Sequence, residues 1–332
     1  MCVCGKFGKF RKSAENLVDL QEIELEELPE TTMEKQPQKI RVRIIGELCE
    51  PDMSGVLQPG NKVEIIGVVE KVLIFKSKDK NDREKIYEYR VRAININPLD
   101  EKFNEEKLDD EDIKVIKEIS QNNPLEQLAN SVSPSIEGNE EIKKALVLQM
   151  VGGVDSVSED GKKVRGRIHI LLCGDPGIGK TQLGRAVNLR MPKSYFTSGD
   201  EVSKVGLTCI VDRDNLTNQW CLKAGALCKC NDSVLILDEL DKIDAEDLGA
   251  LHTPMEIGEI PVDKADIHTS LKAQCSILAI ANPKDGMFDL SDSSNTITKQ
   301  LNLPPPLLTR FDLIFVMVDT IDEQNDEKIV VR

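Results

Sequence analysis

The sequence predicts an α/β domain built on a parallel sheet with flanking helices, preceded by a smaller β-rich domain. Three observations carry this. Short apolar runs alternate with helical patterns from about residue 139 to Val318, as in a layered α/β domain. Several of those runs, such as Val234-Leu-Ile-Leu237 and Cys275-Ser-Ile-Leu-Ala-Ile-Ala281, are apolar without alternation, the mark of strands covered on both faces. Upstream, the texture is instead that of short β-rich segments broken by turns.

The upstream strands read as 40–45, 61–69, 71–75 and 86–96, with Gln58-Pro59-Gly60-Asn61 as a turn between two of them. Strands at this spacing suggest a small barrel, with an OB-fold among the candidates, over residues 36–98. Residues 1–35 open on Cys2-Val-Cys4-Gly5 and run into an acidic stretch. Residues 99–125 are charged and polar, a linker entering a helix near 111–120. The α/β domain then occupies 126–332, with Asn139 placed to cap a helix through Met150 and 167–172 reading as a buried strand.

The chain's 332 residues suffice for two cores. No apolar run reaches the roughly 18 residues that span a bilayer, and the basic first residues lack the apolar segment of a secretory signal. Nine cysteines scattered through apparent core strands fit a reducing compartment better than a disulfide framework. A net charge of −15 excludes a protein that coats nucleic acid with its whole surface, so any such contact needs local basic elements.

Gly174-Asp175-Pro176-Gly177-Ile178-Gly179-Lys180-Thr181, continued by Gln182, matches the P-loop pattern between an expected strand and an expected helix. The glycines let backbone N–H groups curl round phosphate oxygens at a helix N-terminus. Lys180 is expected to reach the β- and γ-phosphates of ATP, and the Thr181 hydroxyl to ligate Mg²⁺. Asp238 and Glu239 end the next apolar strand, where ligands bind in open α/β sheets. Asp238 is expected to hold Mg²⁺ and Glu239 to deprotonate the attacking water, against the alternative of an acidic turn capping the helix after Asp244. Asp241 reads as solvated or structural. Asn282 ends a further buried strand and can sense the γ-phosphate, although many strand ends carry Asn as a turn former. Arg310, just before the last apolar strand, reads as an arginine finger or as a salt bridge to Asp312.

With these elements in order, residues 124–319 resemble the AAA+ P-loop ATPase domain of the minichromosome maintenance (MCM) replicative helicases, archaeal-like in form. The resemblance rests on Ser133-Pro-Ser-Ile136, Gly152-Gly-Val154, Ile168 through Gly177, Thr197-Ser-Gly199, Val205-Gly-Leu-Thr208 and Ala224-Gly-Ala-Leu227. It continues through Asp238-Glu-Leu-Asp-Lys242, Thr269-Ser-Leu271, Ala281-Asn-Pro283 and Leu308-Thr-Arg-Phe-Asp312. Residues 17–100 are similar to the family's N-terminal OB region, including Leu17-Val-Asp-Leu-Gln-Glu-Ile23. The resemblance implies an ATP-driven 3′–5′ helicase subunit in a homo- or hetero-hexameric ring on single-stranded and forked DNA, with no membrane partner. It implies a place at the nucleoid in an archaeal cell or in a eukaryotic nucleus.

Family hairpins that meet DNA would fall at 74–87 (Lys76, Lys78, Lys80, Arg83, Lys85), at an insert near 199–207 (Lys204) and at 257–270 (Lys264). Cys2 and Cys4 resemble half of the family's zinc module, and zinc needs four ligands. Cys228 and Cys230 read as packing residues. The family's C-terminal lid would lie beyond Arg332, Lys223 stands where many members carry glutamate, and Pro254 is expected to kink or end a family helix. These departures suggest a truncated or diverged member. The alternative function is a paralogue that binds ATP and DNA without unwinding. A magnesium-chelatase-like remodeller is disfavoured, because the OB region has no role there.

Overall fold

The computed structural model describes residues 17–27, 38–49, 57, 61–76, 84–99, 110–158, 160–161, 163–213, 220–264, 267–289 and 297–318. The chain divides into two compact units, residues 1–103 and 104–332.

In the first unit, β1 (Leu20–Glu26), β2 (Lys39–Ile45), β3 (Val63–Lys76) and β4 (Glu84–Pro98) form a sheet in the order β1-β2-β4-β3. β2 and β4 run parallel, and the other two pairs antiparallel. One face packs Val42, Ile44, Ala93 and Ile96 into a small core. Arg41, Arg43, Arg90 and Arg92 lie out of that core and pair with Glu22, Glu70 and Glu88 at 2.9 to 3.7 Å. Where two strands were expected at 61–69 and 71–75, the chain makes one strand of 14 residues. A register shift between Ile66 and Gly67 keeps it paired with β4 throughout. β3 and β4 are twice as long as β1 and β2 and outrun them as a two-stranded ribbon. Among the described residues this sheet is open, with β1 and β3 at its edges, rather than a closed barrel.

The second unit begins with three helices, α1 (Asp110–Gln121), α2 (Pro124–Val132) and α3 (Glu140–Val151). α1 is the helix expected near 111–120, within the stretch read as a linker. Asn139 stands at the start of α3 in the left-handed region, φ 54°, but its side chain makes no capping bond. A short ribbon, β5 (Ser156–Val157) with β6 (Lys163–Val164), follows.

The central sheet contains β7 (Ile170–Gly174), β8 (Tyr195–Ser198), β11 (Val234–Asp238), β14 (Ser276–Ala281) and β15 (Leu313–Met317), with α4 (Lys180–Arg190) between β7 and β8. Two hairpins branch from the domain: β9 (Cys209–Arg213) with β10 (Trp220–Ala224), and β12 (Glu259–Lys264) with β13 (Ile267–Lys272). The sheet order is β15-β7-β14-β11-β8, all parallel. Both faces are covered, which explains the unbroken apolar runs. Successive residues serve opposite cores: Ile170 and Leu172 face one with α2, α3 and α4, while Leu171 and Cys173 face the other. At Gly184 a Cβ would stand 2.9 Å from Ile280 and 3.1 Å from Ile236, so α4 seats on β14 and β11 through a residue with no side chain.

Pro254 does not end the helix containing it. It lies in the first turn of the segment His252–Ile257, where its missing N–H has no intrahelical partner to lose. The turn just before it, Gly249–Leu251, tightens into a 3₁₀ helix. Cys228 and Cys230 are buried core residues, as expected, and burial pushes the Cys228 thiol up to about 12. No described helix is long and apolar enough to cross a membrane.

Candidate functional site

β7, β14 and β11 are neighbours and run in one direction, so their C-terminal ends meet along one sheet edge. The P-loop follows Gly174, Asn282 follows Ala281, and Asp238-Glu239 close β11. Because β14 lies between β7 and β11, Asn282 sits between the P-loop and the two acids. Three segments more than forty residues apart in sequence are thus gathered by strand order alone.

Gly177 and Gly179 adopt φ of 88° and 87°, conformations that side-chain-bearing residues rarely hold. They turn the chain so that α4 starts at Lys180 with its N-terminal N–H groups open to an anion. A Cβ at Gly177 would meet nothing within 4 Å, so the loop is open above that residue. Asp175 is buried, its Oδ1 accepting the Phe288 N–H at 2.8 Å and its own N–H donating to the Met317 carbonyl at 3.1 Å. The loop is thereby tied to β15 and to the segment after β14. Pro176 is exposed, Ile178 half-buried.

Lys180 is buried, and its Nζ donates to the carbonyls of Gly174 at 2.7 Å and Asp175 at 2.5 Å. Burial pushes its ammonium below the usual lysine value, while Asp175, Asp238 and Asp241 act in the opposite direction. Thr181 is half-buried in the first turn of α4, and Gln182 beside it is exposed.

Asp238 is buried at the strand end, with Oδ1 accepting the Glu239 N–H at 3.0 Å. Glu239 has a left-handed backbone, φ 55°, which costs a non-glycine residue about 1–2 kcal/mol. Its side chain is fixed at both oxygens: Ser198 Oγ donates to Oε2 at 3.1 Å, and Lys242 Nζ lies 2.9 Å from Oε1. Lys242 also pairs with Asp200 at 3.0 Å. Its hydrogen bonds to Glu239 and Asp200 raise its ammonium above the usual lysine value. A carboxylate held this firmly can orient a water molecule in a fixed direction.

Asp241, read as solvated or structural, is structural. Its Oδ1 accepts the Asn282 N–H at 2.8 Å, and its carbonyl accepts Asn302 Nδ2 at 3.1 Å. Ser198 and Lys242 lie within stretches that carry the resemblance, but the sequence assigned no role to them or to Asp200; the register Asp238↔Ser198 brings Ser198 to the site.

Arg310 stands at the other edge. β15 pairs with β7 from Leu313↔Ile170 to Met317↔Gly174, so the two ends of this pair are about 13 Å apart at ~3.3 Å per residue. Arg310 precedes the first end, whereas the P-loop follows the second. The expected bridge to Asp312 does not form. Asp312 instead binds Arg165 Nη2 at 2.9 Å and the His169 N–H at 2.7 Å, and Arg310 pairs with Glu256 at 2.9 Å. The reason is register: the Asp312 carboxylate is drawn to the start of β7, opposite the next residue on β15.

Of the basic candidates, Lys76 ends β3 in register with Glu84, and Lys85 lies near the start of β4 in register with Phe75. Lys78, Lys80 and Arg83 fall outside the described residues, as do Cys2 and Cys4. Lys204 is exposed, but residues 199–207 form a 3₁₀ turn and one α-helical turn rather than a hairpin. The hairpin in this region is β9–β10, just downstream, where the alternating segment Cys209–Arg213 finds an antiparallel partner. There Lys223 pairs with Asp212 at 3.3 Å. Lys264 is exposed and ends β12 opposite Ile267. Among the described residues no cluster of three His, Cys, Asp or Glu could hold a metal ion.

The fold and the glycine-turned loop define a P-loop domain of the α/β class. The MCM P-loop domain family matches residues 112–332, and the chain belongs to the MCM family. It is 37% identical over 94% of its length to "DNA replication licensing factor MCM3 homolog 1" of Zea mays, covering 39% of that protein. It is 36% identical, again over 94%, to "DNA replication licensing factor MCM3" of Entamoeba histolytica, covering 49%. To the archaeal "Minichromosome maintenance protein MCM" of Saccharolobus solfataricus it is 33% identical over 98%, covering 46%. The chain therefore spans less than half the length of these relatives.

Proposed function

We infer that the chain is the nucleotide-hydrolysing part of an MCM replicative helicase subunit. The observation that carries this reading is the shared sheet edge, where the P-loop, Asn282 and the pair Asp238-Glu239 stand side by side. The residues fit ATP with Mg²⁺. The loop 174–182 offers backbone N–H groups and the Lys180 ammonium to phosphate, and Thr181 and Asp238 supply the hard oxygen ligands that Mg²⁺ prefers. Bound there, the ion would neutralise charge on the phosphate oxygens. Glu239, held by Ser198 and Lys242, takes the proton of the attacking water, and Asn282 holds that water or the γ-phosphate.

Arg310 is at the far edge of the sheet from its own P-loop, which supports a role in the site of a neighbouring subunit and hence a ring, hexameric in this reading. Single-stranded and forked DNA is the track. On an acidic body it is gripped by Lys264 foremost, by the basic residues of 76–85 and by Lys204 on its helical turn. In a eukaryotic cell the place of action is the nucleus, in an archaeal one the nucleoid.

The test is ATP hydrolysis by the purified chain with and without single-stranded DNA, with Lys180→Ala as the control. Hydrolysis stimulated by DNA and abolished in the control supports the reading. ATP and DNA binding without turnover would assign the chain to a non-unwinding member instead.

A further inference from the structure

Arg310 is held inside its own chain by the segment that leads into the β12–β13 hairpin. Its Nη2 pairs with Glu256 Oε2 at 2.9 Å, and Glu256 lies in the helical segment His252–Ile257 that passes through Gly258 into β12. The adjacent Met255 carbonyl accepts Arg165 Nη1 at 2.8 Å and His169 Nε2 at 3.1 Å. The same Arg165 turns Nη2 to the Arg310 carbonyl at 3.0 Å. Both the main chain and the guanidinium of Arg310 are therefore bound to Met255-Glu256, one through Arg165 and the other directly.

Gly258 is the joint between this segment and the hairpin. Its φ is 78°, a conformation that favours glycine, and a Cβ there would press on the Arg167 guanidinium at 2.8 Å. From the joint, β12 runs six residues, about 20 Å at ~3.3 Å each, to Lys264 near the hairpin tip. The path from Lys264 to Glu256 is continuous chain through one strand and one turn, and it ends on Arg310.

We propose that Glu256 is a positioning residue that links the β12–β13 hairpin to Arg310, so that DNA held at the hairpin sets where the guanidinium is presented to the neighbouring nucleotide. This rests on the reading of Arg310 as a finger and of the hairpin as the DNA grip. Stability alone does not account for the pair. Glu256 is 57% exposed and Arg310 35%, and ion pairs at such sites contribute about 0–1 kcal/mol. The link works in both directions: if DNA on the hairpin changes nucleotide affinity in the neighbouring site through Arg310, nucleotide there changes DNA affinity by the same factor.

The experiment compares the parent chain with Glu256→Gln, Glu256→Asp and Arg310→Ala in the assembled state. It measures basal ATP hydrolysis, its stimulation by single-stranded DNA, and DNA affinity with and without a non-hydrolysable ATP analogue. Glu256→Gln is expected to keep basal hydrolysis within about twofold while losing about fivefold or more of the DNA stimulation. The analogue's effect on DNA affinity is expected to vanish with it, and Glu256→Asp, which keeps the charge, to restore part of both. Normal DNA stimulation in Glu256→Gln overturns the proposal. So does a basal loss as deep as that of Arg310→Ala, which would make Glu256 a support for the finger and nothing more. Parent-level hydrolysis by Arg310→Ala would instead remove the finger reading itself, a result readable without the Glu256 variants.

Discussion

Asp241 Oδ1 accepts the backbone N–H of Asn282 at 2.8 Å across 41 residues of sequence. One bond joins the turn after β11 to the end of β14, and so sets the spacing between the proposed base and the proposed γ-phosphate sensor. Asp241→Ala leaves that N–H without its acceptor, a loss of about 1–3 kcal/mol in stability. Turnover is expected to fall about tenfold, with ATP affinity little changed, because Lys180 keeps its bonds to the Gly174 and Asp175 carbonyls. Thermal unfolding and steady-state hydrolysis check both halves. An unchanged kcat in the folded variant would show that Asn282 is placed by other means.

Lys180 and Glu239 are expected to separate binding from chemistry. Lys180→Ala removes charge-assisted bonds to phosphate worth about 1.5–3 kcal/mol, so ATP affinity should fall about 10- to 100-fold. Glu239→Gln keeps the hydrogen bond from Ser198 but cannot accept a proton, so it should bind ATP and hold it unhydrolysed. Filter binding and single-turnover hydrolysis distinguish the two. Wild-type hydrolysis by Glu239→Gln would remove the assignment of the base.

Arg310→Ala and Lys180→Ala are each expected to be inactive, and a mixture of them to regain part of the activity. Some interfaces in the mixture pair an intact P-loop with an intact Arg310. The expectation follows from the edge of the sheet on which Arg310 stands. A silent mixture, with co-assembly shown by pull-down, argues for action within one chain.

Lys264 contacts phosphate as a point charge in this reading. Lys264→Ala should weaken single-stranded DNA binding regardless of base sequence and reduce the slope of log K against log salt by about 0.7. An unchanged slope in a salt titration would move the grip away from this hairpin.

His169 gives the chain a pH dependence of known sign. Burial, reinforced by the Arg165 and Arg167 charges, lowers its pKa from 6.5 to about 3. The ring is neutral in the fold, with Nδ1 accepting the Ile277 N–H at 3.0 Å and Nε2 donating to the Met255 carbonyl at 3.1 Å. As pH falls below 6.5 the unfolded chain takes up a proton that the fold refuses, so stability drops, by about 2 kcal/mol at pH 5. His169→Gln is expected to be less stable at pH 8 and to lose less between pH 7 and pH 5. Parallel stability curves for the two proteins would contradict this.

The P-loop, Asp238-Glu239 and Asn282 were legible in the sequence because each is a local pattern, an apolar strand followed by residues of fixed chemistry. Ser198, Asp241 and Glu256 were not. Each acts on a partner 41 or more residues away, and only strand order and register bring the partners together. The same cause misplaced the insert near 199–207, whose residues turn as helix one step before the β9–β10 hairpin begins. It also hid the continuity of β3, since the charged Glu70, read as a break between two strands, is paired with Arg90 of β4. The salt bridge weighed for Arg310 was right in kind and wrong in partner, because alternation along the chain sends Asp312 toward β7.

The strand β14 has neighbours on both sides, and all six of its residues are buried. No edge of it can fray without opening β7 or β11 as well. Its amide protons should therefore exchange with solvent deuterium only through global unfolding of the domain, slower than those of β8 or β15 at the sheet margins. Exchange at Ile277 through Ile280 then measures the total stability of the P-loop domain. Exchange across β12–β13, a two-stranded sheet of its own with only one face in the core, is expected to be faster.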